Sequence, residues 1–200
     1  MARISKPPEE RRQELIETAN ELFLTQGYEQ TTVGDIVKKV GVAQGLFYYY
    51  FRSKQDIFLT VVDQFLEARI GEMAVFLRDV QAPPLKRVRN LLQGLSHFLR
   101  ETEALFPRNR ASMAEEMYMI MYNHVSGQIE PMVAQLLQDA AAQGLLSAPF
   151  PDRLSRFIIS GFIGVESMPD RPKAEEMMEL IVFALERLLH VPKDVFDAGE

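Results

Sequence analysis

The stretch TTVGDIVKKVGVAQGLFYYYFRSK, residues 31–54, decides the fold of this chain. Its first half repeats apolar residues at the spacing of one helical face, namely Val33, Ile36, Val37 and Val40. Thr32 followed three residues later by Asp35 forms a capping-box pattern, which predicts where that helix begins. Gly41 can adopt the left-handed backbone conformation that ends a helix. We therefore expect a short amphipathic helix that ends in a glycine turn.

The second half of the stretch predicts another short helix with two unlike faces. Ala43, Phe47 and Phe51 share one face. The opposite face carries mostly polar or small residues, which are Gln44, Gly45, Tyr48, Tyr49 and Arg52. Upstream, Gly27 and Tyr28 close an earlier helix whose apolar stripe is Leu15, Ile16, Ala19, Leu22 and Phe23. This order of elements is that of a helix-turn-helix unit.

These residues resemble the DNA-binding domain of the TetR family of bacterial transcriptional regulators. The shared pattern is a Thr-Thr pair, a Gly-Val turn, Gly-x-x-Tyr-x-x-Phe and a following Ser-Lys, and the resemblance covers about residues 9–69. It implies an all-α fold in two domains. The first, residues 1–54, is a three-helix helix-turn-helix DNA-binding domain with its motif at about 32–51. The second, residues 55–200, is a larger helical domain for ligand binding and dimerisation.

The resemblance also implies how the motif contacts DNA. Residues expected to position the phosphate backbone are Thr32, Tyr48, Tyr49 and Lys54, and those expected at the base edges are Ala43, Gln44, Gly45 and Leu46. Gln44 can pair bidentately with adenine, and Ala43 or Leu46 can touch a thymine methyl group. The sequence departs from the family pattern at three positions. Ala43 cannot cap the second helix of the motif as Ser or Thr would. Leu46 stands where the family often has a polar residue, and Tyr50 stands where it often has histidine.

Charge and composition limit the class of protein. The net charge of -6 lies entirely in residues 61–200, because residues 1–60 hold eight basic and eight acidic side chains. Within residues 36–55 there are four basic side chains and no acidic one, the basic ones being Lys38, Lys39, Arg52 and Lys54. They give the motif a local positive field, unless the first two only solvate a helix end. The absence of cysteine excludes disulfides and thiolate metal sites. We find no signal-peptide pattern and no apolar run of membrane-spanning length, so we expect a cytoplasmic protein without a membrane partner.

The rest of the chain predicts further helices. Ser53 and Asp56 repeat the capping-box spacing and open a long helix that we expect to end at the proline pair 83–84. Its expected apolar positions are Phe58, Val61, Val62, Phe65, Met73, Phe76, Leu77 and Val80. Prolines divide the remaining sequence into predicted helices near 85–105, 110–123, 127–143, 152–167 and 173–190.

The last two predicted helices are apolar on more than one face, which is typical of interface helices. The resemblance implies that they meet a symmetry mate in a four-helix bundle, and that the homodimer reads a pseudo-palindromic operator. The interface residues expected on this basis are Phe157, Gly161, Gly164, Ile181, Leu185 and Leu188. The alternative is that both helices are buried inside one subunit.

The resemblance further implies a small-molecule pocket in the second domain. Its candidate lining residues are His97, Met117, Tyr118, Met121, Tyr122, Phe162 and Glu166. A methionine and tyrosine stripe is more often core than ligand wall. Glu166, within an apolar segment, either snorkels at the helix end, pairs across the dimer, or binds a cationic or hydroxylated ligand, and we favour a structural role.

Together these observations predict a repressor that a hydrophobic inducer releases from double-stranded operator DNA. An activator, or a regulator that answers no small molecule, would share the same sequence features. An enzyme is the remaining alternative class. The three histidines, His97, His124 and His190, lack metal-ligand spacing, and neither a Gly-rich phosphate loop nor a nucleophile elbow is present. We therefore expect no catalytic residue, no metal and no cofactor.

Overall fold

The computed structural model describes residues 7–105, 113–168 and 170–190, and within these ranges the regular structure is entirely helical. The helices are α1 Pro8–Gln26, α2 Val33–Val40, α3 Gln44–Tyr50, α4 Lys54–Arg78, α5 Pro84–Leu105, α6 Ala114–Ala142, α7 Pro151–Glu166 and α8 Ala174–Leu189. The all-α prediction is confirmed. Contacts divide the described residues into an N-terminal unit, 7–65 with 104 and 105, and a C-terminal unit, 66–103, 113–168 and 170–190. The boundary predicted after residue 54 falls one residue inside α4, which begins at Lys54, and it stays a prediction.

The N-terminal unit has one apolar core to which each of its helices contributes. The buried core side chains are Leu15, Ile16, Ala19 and Phe23 of α1, Ile36 and Val37 of α2, Phe47 and Phe51 around α3, and Ile57, Phe58, Val61 and Val62 of α4. Phe23 and Phe58 meet edge to face with ring centroids 5.4 Å apart, and Tyr28 stacks at a tilt 4.7 Å from Phe58. Burial of this set is the main force that holds α2 and α3 in place, since helices of eight and seven residues are marginal alone.

Helix α4 begins where its capping pattern predicts and ends earlier than expected. The hydroxyl of Ser53 accepts a hydrogen bond from the backbone N–H of Asp56 at 3.1 Å, and the Asp56 carboxylate accepts one from the Arg52 N–H at 2.7 Å. The helix stops at Arg78, so Val80 lies beyond it, and 62% of that residue is exposed. The prediction that Val80 belongs to the apolar face is wrong. Pro84 opens α5 instead of ending α4, because proline fits the first helical position, where no N–H partner is needed.

The predicted break between residues 123 and 127 does not occur, and α6 is one helix of 29 residues with Pro131 inside it. Proline in a helix removes one hydrogen bond and crowds the carbonyl four residues earlier, at a cost of about 3 kcal/mol. Here that carbonyl belongs to Gly127, and Pro131 itself is exposed. The opposite face buries a long apolar series on both sides of the proline, Val125, Ile129, Val133, Leu136 and Leu137. Tertiary packing therefore outweighs the local helix breaker.

The C-terminal unit joins α6 and α7 by packing and by polar contacts. The Ser155 hydroxyl donates to the carbonyl oxygen of Glu130 at 2.7 Å, and the Arg156 guanidinium donates to the Glu130 carboxylate at 2.8 Å. Arg87 of α5 is 2% exposed and donates to the carbonyl oxygen of Leu77 at 2.6 Å and to Asp139 of α6 at 2.9 Å. This arginine therefore joins the end of α4 to α5 and α6. Among the described residues, no helix is long and apolar enough to cross a membrane.

Candidate nucleic-acid interface and ligand cavity

The start of α2 is held by the predicted capping box. The Thr32 hydroxyl accepts from the Asp35 N–H at 3.1 Å, and the Asp35 carboxylate accepts from the Thr32 N–H at 2.9 Å and from its hydroxyl at 2.6 Å. These bonds from the Thr32 hydroxyl and backbone hold the pKa of Asp35 below its usual range. The Thr32 side chain, expected to position a phosphate, lies exposed at the helix start with its hydroxyl proton engaged by Asp35.

The turn between α2 and α3 has the predicted glycine geometry. Gly41 has φ of 76° and ψ of 37°, a left-handed conformation that costs glycine no clash with a side chain. Its N–H donates to the carbonyl oxygens of Val37 and Lys38, and the N–H of Val42 donates to Val37 at 3.0 Å. The chain therefore leaves α2 with a fixed direction, which sets the direction of α3.

Helix α3 has the two unlike faces that the sequence predicts. Phe47 and Phe51 are 0% and 2% exposed and pack in the core. Tyr48 and Tyr49 are 54% and 75% exposed. The residues expected at base edges are accessible, with Ala43, Gln44 and Gly45 exposed and Leu46 half-buried. The helix starts without a side-chain cap at Ala43, as expected for alanine.

Gly45 lies on the outer face of α3 with open space around its Cα. A methyl group built on Gly45 would meet no atom within 4 Å, so packing within the protein does not require glycine there. A bare backbone on an exposed helix suits close approach of a flat or grooved partner. The outer face of α3 therefore combines a small residue, an amide side chain and two exposed phenols, which are groups that bind base edges and phosphates in the major groove.

Two basic side chains expected near DNA make contacts within the N-terminal unit. The Lys54 ammonium donates to the carbonyl oxygen of Tyr28 at 2.8 Å, and its nitrogen lies 4.2 Å from the centroid of the Tyr28 ring. Lys39 forms an ion pair with Glu21 of α1 at 2.6 Å. Lys38 and Arg52 are exposed. The Lys54 role at phosphate stays a prediction, to which the structure adds a contact with the turn after α1.

Thr31 is a positioning residue that the sequence pattern did not single out. It is 0% exposed, and its hydroxyl donates to the Gly27 carbonyl at 2.8 Å while accepting from the Gln26 amide at 3.2 Å. These bonds join the end of α1 to the start of α2. The Thr-Thr pair could have indicated this role of Thr31. Because Thr32 caps α2 with an exposed side chain, the side chain of Thr31 points the other way.

The C-terminal unit contains an apolar cavity of about 620 Å³. Its wall draws on five helices, for example Ile70 of α4, Phe98 of α5, Met121 of α6, Phe162 of α7 and Leu185 of α8. Of the described residues that line it, none is charged, and Ser160 alone carries a polar side chain. A volume in this range suits a small organic molecule, and the lining selects an apolar one.

The N-terminal unit matches a known family of proteins in sequence. The sequence profile described as bacterial regulatory proteins of the tetR family matches residues 15–61, which include most of α1, all of α2 and α3, and the start of α4. The helix-turn-helix part of this chain therefore matches the tetR family of bacterial regulatory proteins. The resemblance predicted from the sequence is confirmed for these residues.

Individual relatives extend the likeness beyond the motif. The HTH-type transcriptional regulator AcrR of Shigella flexneri is 34% identical over 94 residues, which are 46% of this chain and 43% of AcrR. The HTH-type transcriptional repressor DhaR of Mycobacterium sp. (strain GP1) is 22% identical over 182 residues, which are 89% of this chain and 92% of DhaR. The chain thus matches less than half of AcrR and most of DhaR.

A solved structure shows the same fold over nearly the whole length. It is a transcriptional regulator of the TetR/AcrR family from Thermobifida fusca YX-ER1, with a TM-score of 0.60 and 24% identity. The match covers 88% of this chain and 96% of that one. The likeness supports the two-part helical architecture of this chain.

Only two of the seven residues predicted to line a ligand pocket line the cavity. Met121 and Phe162 line it. The cavity wall does not include the other five predicted residues, which are His97, Met117, Tyr118, Tyr122 and Glu166. His97 is 65% exposed and lies 3.4 Å from Glu101, one turn along α5. Met117 is buried at 1% exposure, as expected of a core methionine.

Glu166 is fully buried and forms an ion pair with Arg171, which also donates to the Thr102 hydroxyl at 3.3 Å. Nearby, the Glu103 carboxylate accepts from the Ala174 N–H at 3.2 Å, at the start of α8. These contacts join the α7–α8 connection to the end of α5. The geometry supports a structural role for Glu166, in line with the interpretation favoured from sequence.

The outer sides of α7 and α8 expose large apolar side chains. Phe157 is 66% exposed, Phe183 58%, Leu180 45% and Leu188 40%. Of the residues expected at a dimer interface, Gly161 is exposed, and Gly164, Ile181 and Leu185 are half-buried. A patch of this kind on a protein surface marks an interaction site.

Proposed function

We propose that this protein is a TetR-family regulator that represses transcription as a homodimer on a pseudo-palindromic operator, and that a small hydrophobic inducer releases it. The observation that carries the proposal is the division of α3 into a buried face, Phe47, and an exposed face with Gln44 and Tyr49. The repressor DhaR, similar over 92% of its own length, supports repression as the direction of control. The cytoplasm, where bacterial operator DNA lies, is the proposed location.

The proposed DNA contacts follow from the chemistry of the exposed side chains. Gln44 at the start of α3 presents an amide that can bind adenine bidentately. Tyr48 and Tyr49 present phenolic O–H groups that can donate to phosphate oxygens. Gly45 allows the backbone of α3 to approach the groove. With Leu46 and Ala43 available for a thymine methyl group, the surface offers several base-reading groups beside the phosphate-binding Tyr48 and Tyr49.

The homodimer is proposed from the exposed side chains of α7 and α8. Phe157 and Phe183 are each more than half exposed, although burying a phenylalanine is worth about 1.5–3 kcal/mol. A two-fold dimer would bury this patch on both copies. It would also present two α3 helices to two half-sites, which explains why the operator is expected to be pseudo-palindromic.

The inducer is proposed to occupy the cavity of the C-terminal unit. Because none of the described wall residues is charged, we expect a neutral or weakly polar molecule with a large apolar surface. Helix α4 supplies Ile70 and Met73 to the cavity wall and is continuous with the residues that follow α3. A shift of α4 on ligand binding would therefore reach the DNA-binding unit through one helix, and the inducer would favour the state that binds DNA weakly.

The proposal is tested by electrophoretic mobility shift with the DNA upstream of the protein's own gene. We expect a shifted band at low salt, a weaker band for Gln44→Ala, and loss of the band when neutral apolar compounds are added. The band should persist with cationic compounds of similar size. Absence of a shift at low salt with this DNA and with a random duplex pool would contradict DNA binding, and a band that no compound removes would contradict the inducer.

A further inference from the structure

Helix α5 has a glycine where it faces α4, and a residue of the cavity wall lies against that glycine. Gly94 is half-buried on α5. A methyl group built on its Cα would lie 3.5 Å from Cγ of Met73 and 3.6 Å from Cε2 of Phe76, both on α4. Met73 lines the cavity, and so does Leu95, the residue after Gly94. The space beside Gly94 is therefore filled by a side chain that also bounds the cavity.

The contact at Gly94 leaves room for a methyl group and for little more. Separations of 3.5 and 3.6 Å are ordinary van der Waals contacts, so one added carbon atom already closes the gap. The γ-carbons of a valine would extend past this methyl position towards Met73 and Phe76. Phe76 is 38% exposed, and its ring edge can turn towards water. Cγ of Met73 lies only two bonds from the backbone, so it moves only if the whole side chain changes rotamer.

The backbone of α4 is held to α5 close to Met73. The Arg87 guanidinium of α5 donates to the carbonyl oxygen of Leu77 at 2.6 Å and to Asp139 of α6 at 2.9 Å. Leu77 lies about one turn after Met73 on α4, and Arg87 lies about two turns before Gly94 on α5. Because Arg87 is 2% exposed, moving α4 away from α5 would break buried, charge-assisted hydrogen bonds. Crowding at Gly94 is therefore relieved by the Met73 side chain, which has the cavity beside it.

We infer that Gly94 is a specificity-determining residue of the cavity, because the missing side chain lets Met73 stay out of the space that a ligand would fill. This role rests on the cavity being the inducer site of the proposed function, and it adds the residue that sets the size of the inducer. A larger residue at position 94 pushes Met73 into the cavity. Large apolar molecules are then excluded, while small ones still fit in the remaining space.

The role of Gly94 is tested with two neutral apolar molecules of different size, indole and N-phenyl-1-naphthylamine. Isothermal titration calorimetry on the full chain measures both dissociation constants for the unmodified chain, Gly94→Ala and Gly94→Val. We expect Gly94→Ala to bind both molecules as the unmodified chain does, because the methyl group fits. We expect Gly94→Val to bind N-phenyl-1-naphthylamine about tenfold or more weakly, and indole at most about threefold more weakly.

Two further variants separate the size of the cavity from the stability of the fold. Gly127→Val is the matched control, because Gly127 is exposed on α6, lies outside the wall, and a methyl group there meets no atom within 4 Å. It makes the same change in helix propensity and should leave both affinities unchanged. Met73→Ala combined with Gly94→Val removes the side chain that valine displaces. We expect this double variant to recover most of the lost affinity for N-phenyl-1-naphthylamine, whereas a loss through destabilisation alone would grow with a second truncation.

Three results would overturn this role of Gly94. They are a folded Gly94→Val chain that binds both molecules as tightly as the unmodified chain, an equal weakening of both molecules, and a double variant without recovery. If valine prevents folding, Gly94→Cys, which adds one atom beyond the methyl group, gives the same comparison with less crowding. An unmodified chain that binds neither molecule would refute the apolar inducer site itself. Loss of the Gly94 effect while apolar compounds still release DNA would refute only the size limit, so the two failures are distinguishable.

Discussion

The ammonium nitrogen of Lys54 lies 2.8 Å from the carbonyl oxygen of Tyr28 and 4.2 Å from the centroid of the Tyr28 ring. Lys54 is the first residue of α4, and Tyr28 lies in the turn between α1 and α2. The Tyr28 ring in turn packs 4.7 Å from Phe58. One lysine therefore joins the turn that precedes α2 to the helix that follows α3, in addition to its predicted role at phosphate.

Lys54→Ala should lower both stability and DNA affinity. Loss of the charged hydrogen bond to Tyr28 should cost about 1 kcal/mol, because the group is only partly buried, and thermal unfolding measures this loss. If the ammonium also contacts a phosphate, the slope of log affinity against log salt should fall by about 0.9. Lys86→Ala, which removes an exposed charge from α5, is the control and should change neither quantity. An unchanged salt slope would leave Lys54 with the structural role alone.

Gly45→Ala should stabilise the protein and weaken its DNA binding. A methyl group at Gly45 meets no atom within 4 Å, and alanine is favoured over glycine in a helix by about 0.5–1 kcal/mol. The same methyl group would stand between α3 and the groove, so we expect affinity to fall about tenfold in fluorescence anisotropy with duplex DNA.

Gly71→Ala is the matched control for Gly45→Ala. Gly71 lies inside α4, and a methyl group there also meets no atom within 4 Å. It should gain similar stability with unchanged DNA affinity. Equal DNA affinity for both variants would show that the backbone at Gly45 does not approach DNA.

The predictions from sequence that the structure confirms rest on local chemistry. The Thr32–Asp35 capping box and the left-handed Gly41 each depend on a few neighbouring residues, so their spacing in the sequence determines their geometry. The inward and outward faces of α3 follow from helical periodicity in the same way, with Phe47 buried and Tyr49 exposed.

The parts that could not be predicted depend on distant residues. Pro131 does not break α6, because the apolar face that packs in the C-terminal unit outweighs one lost hydrogen bond. The partner of Lys54 lies 26 residues away in the chain, and no periodicity indicates it. His97 has the residue type of a ligand group but lies exposed beside Glu101, since only the arrangement of the helices decides which side of α5 faces the cavity.

Arg87→Met should destabilise the C-terminal unit by about 2–3 kcal/mol. The variant keeps the apolar stem but leaves the Leu77 carbonyl and the Asp139 carboxylate without their buried partner. Because Asp139 is partly exposed, water can solvate its carboxylate, which reduces the loss of stability. Urea denaturation of Arg87→Met, Asp139→Asn and the double variant would measure the coupling. Strictly additive effects would contradict the ion pair as a source of stability.

The pH dependence of stability should report Asp139. A hydrogen bond from the Gln135 amide, together with Arg87, lowers the pKa of Asp139. A folded-state pKa below the unfolded value of about 3.9 stabilises the protein above that pH, and the contribution is lost as pH falls through the folded pKa. The stability difference between the unmodified chain and Asp139→Asn should thus be constant above about pH 5 and shrink below about pH 4. Asp79→Asn, at an exposed turn, is the control, and a difference independent of pH would refute the assignment.

The central claim is that two copies of α3 bind DNA through their outer faces, and selection of duplexes from a random library by the intact protein tests it most directly. We predict enrichment of one motif in two inverted copies, and for Gln44→Ala a loss of base preference at one symmetric position in both copies, with a discrimination of about 1–3 kcal/mol removed. Failure to enrich any duplex, or enrichment of a single unrepeated site that Gln44→Ala leaves unchanged, would contradict the account.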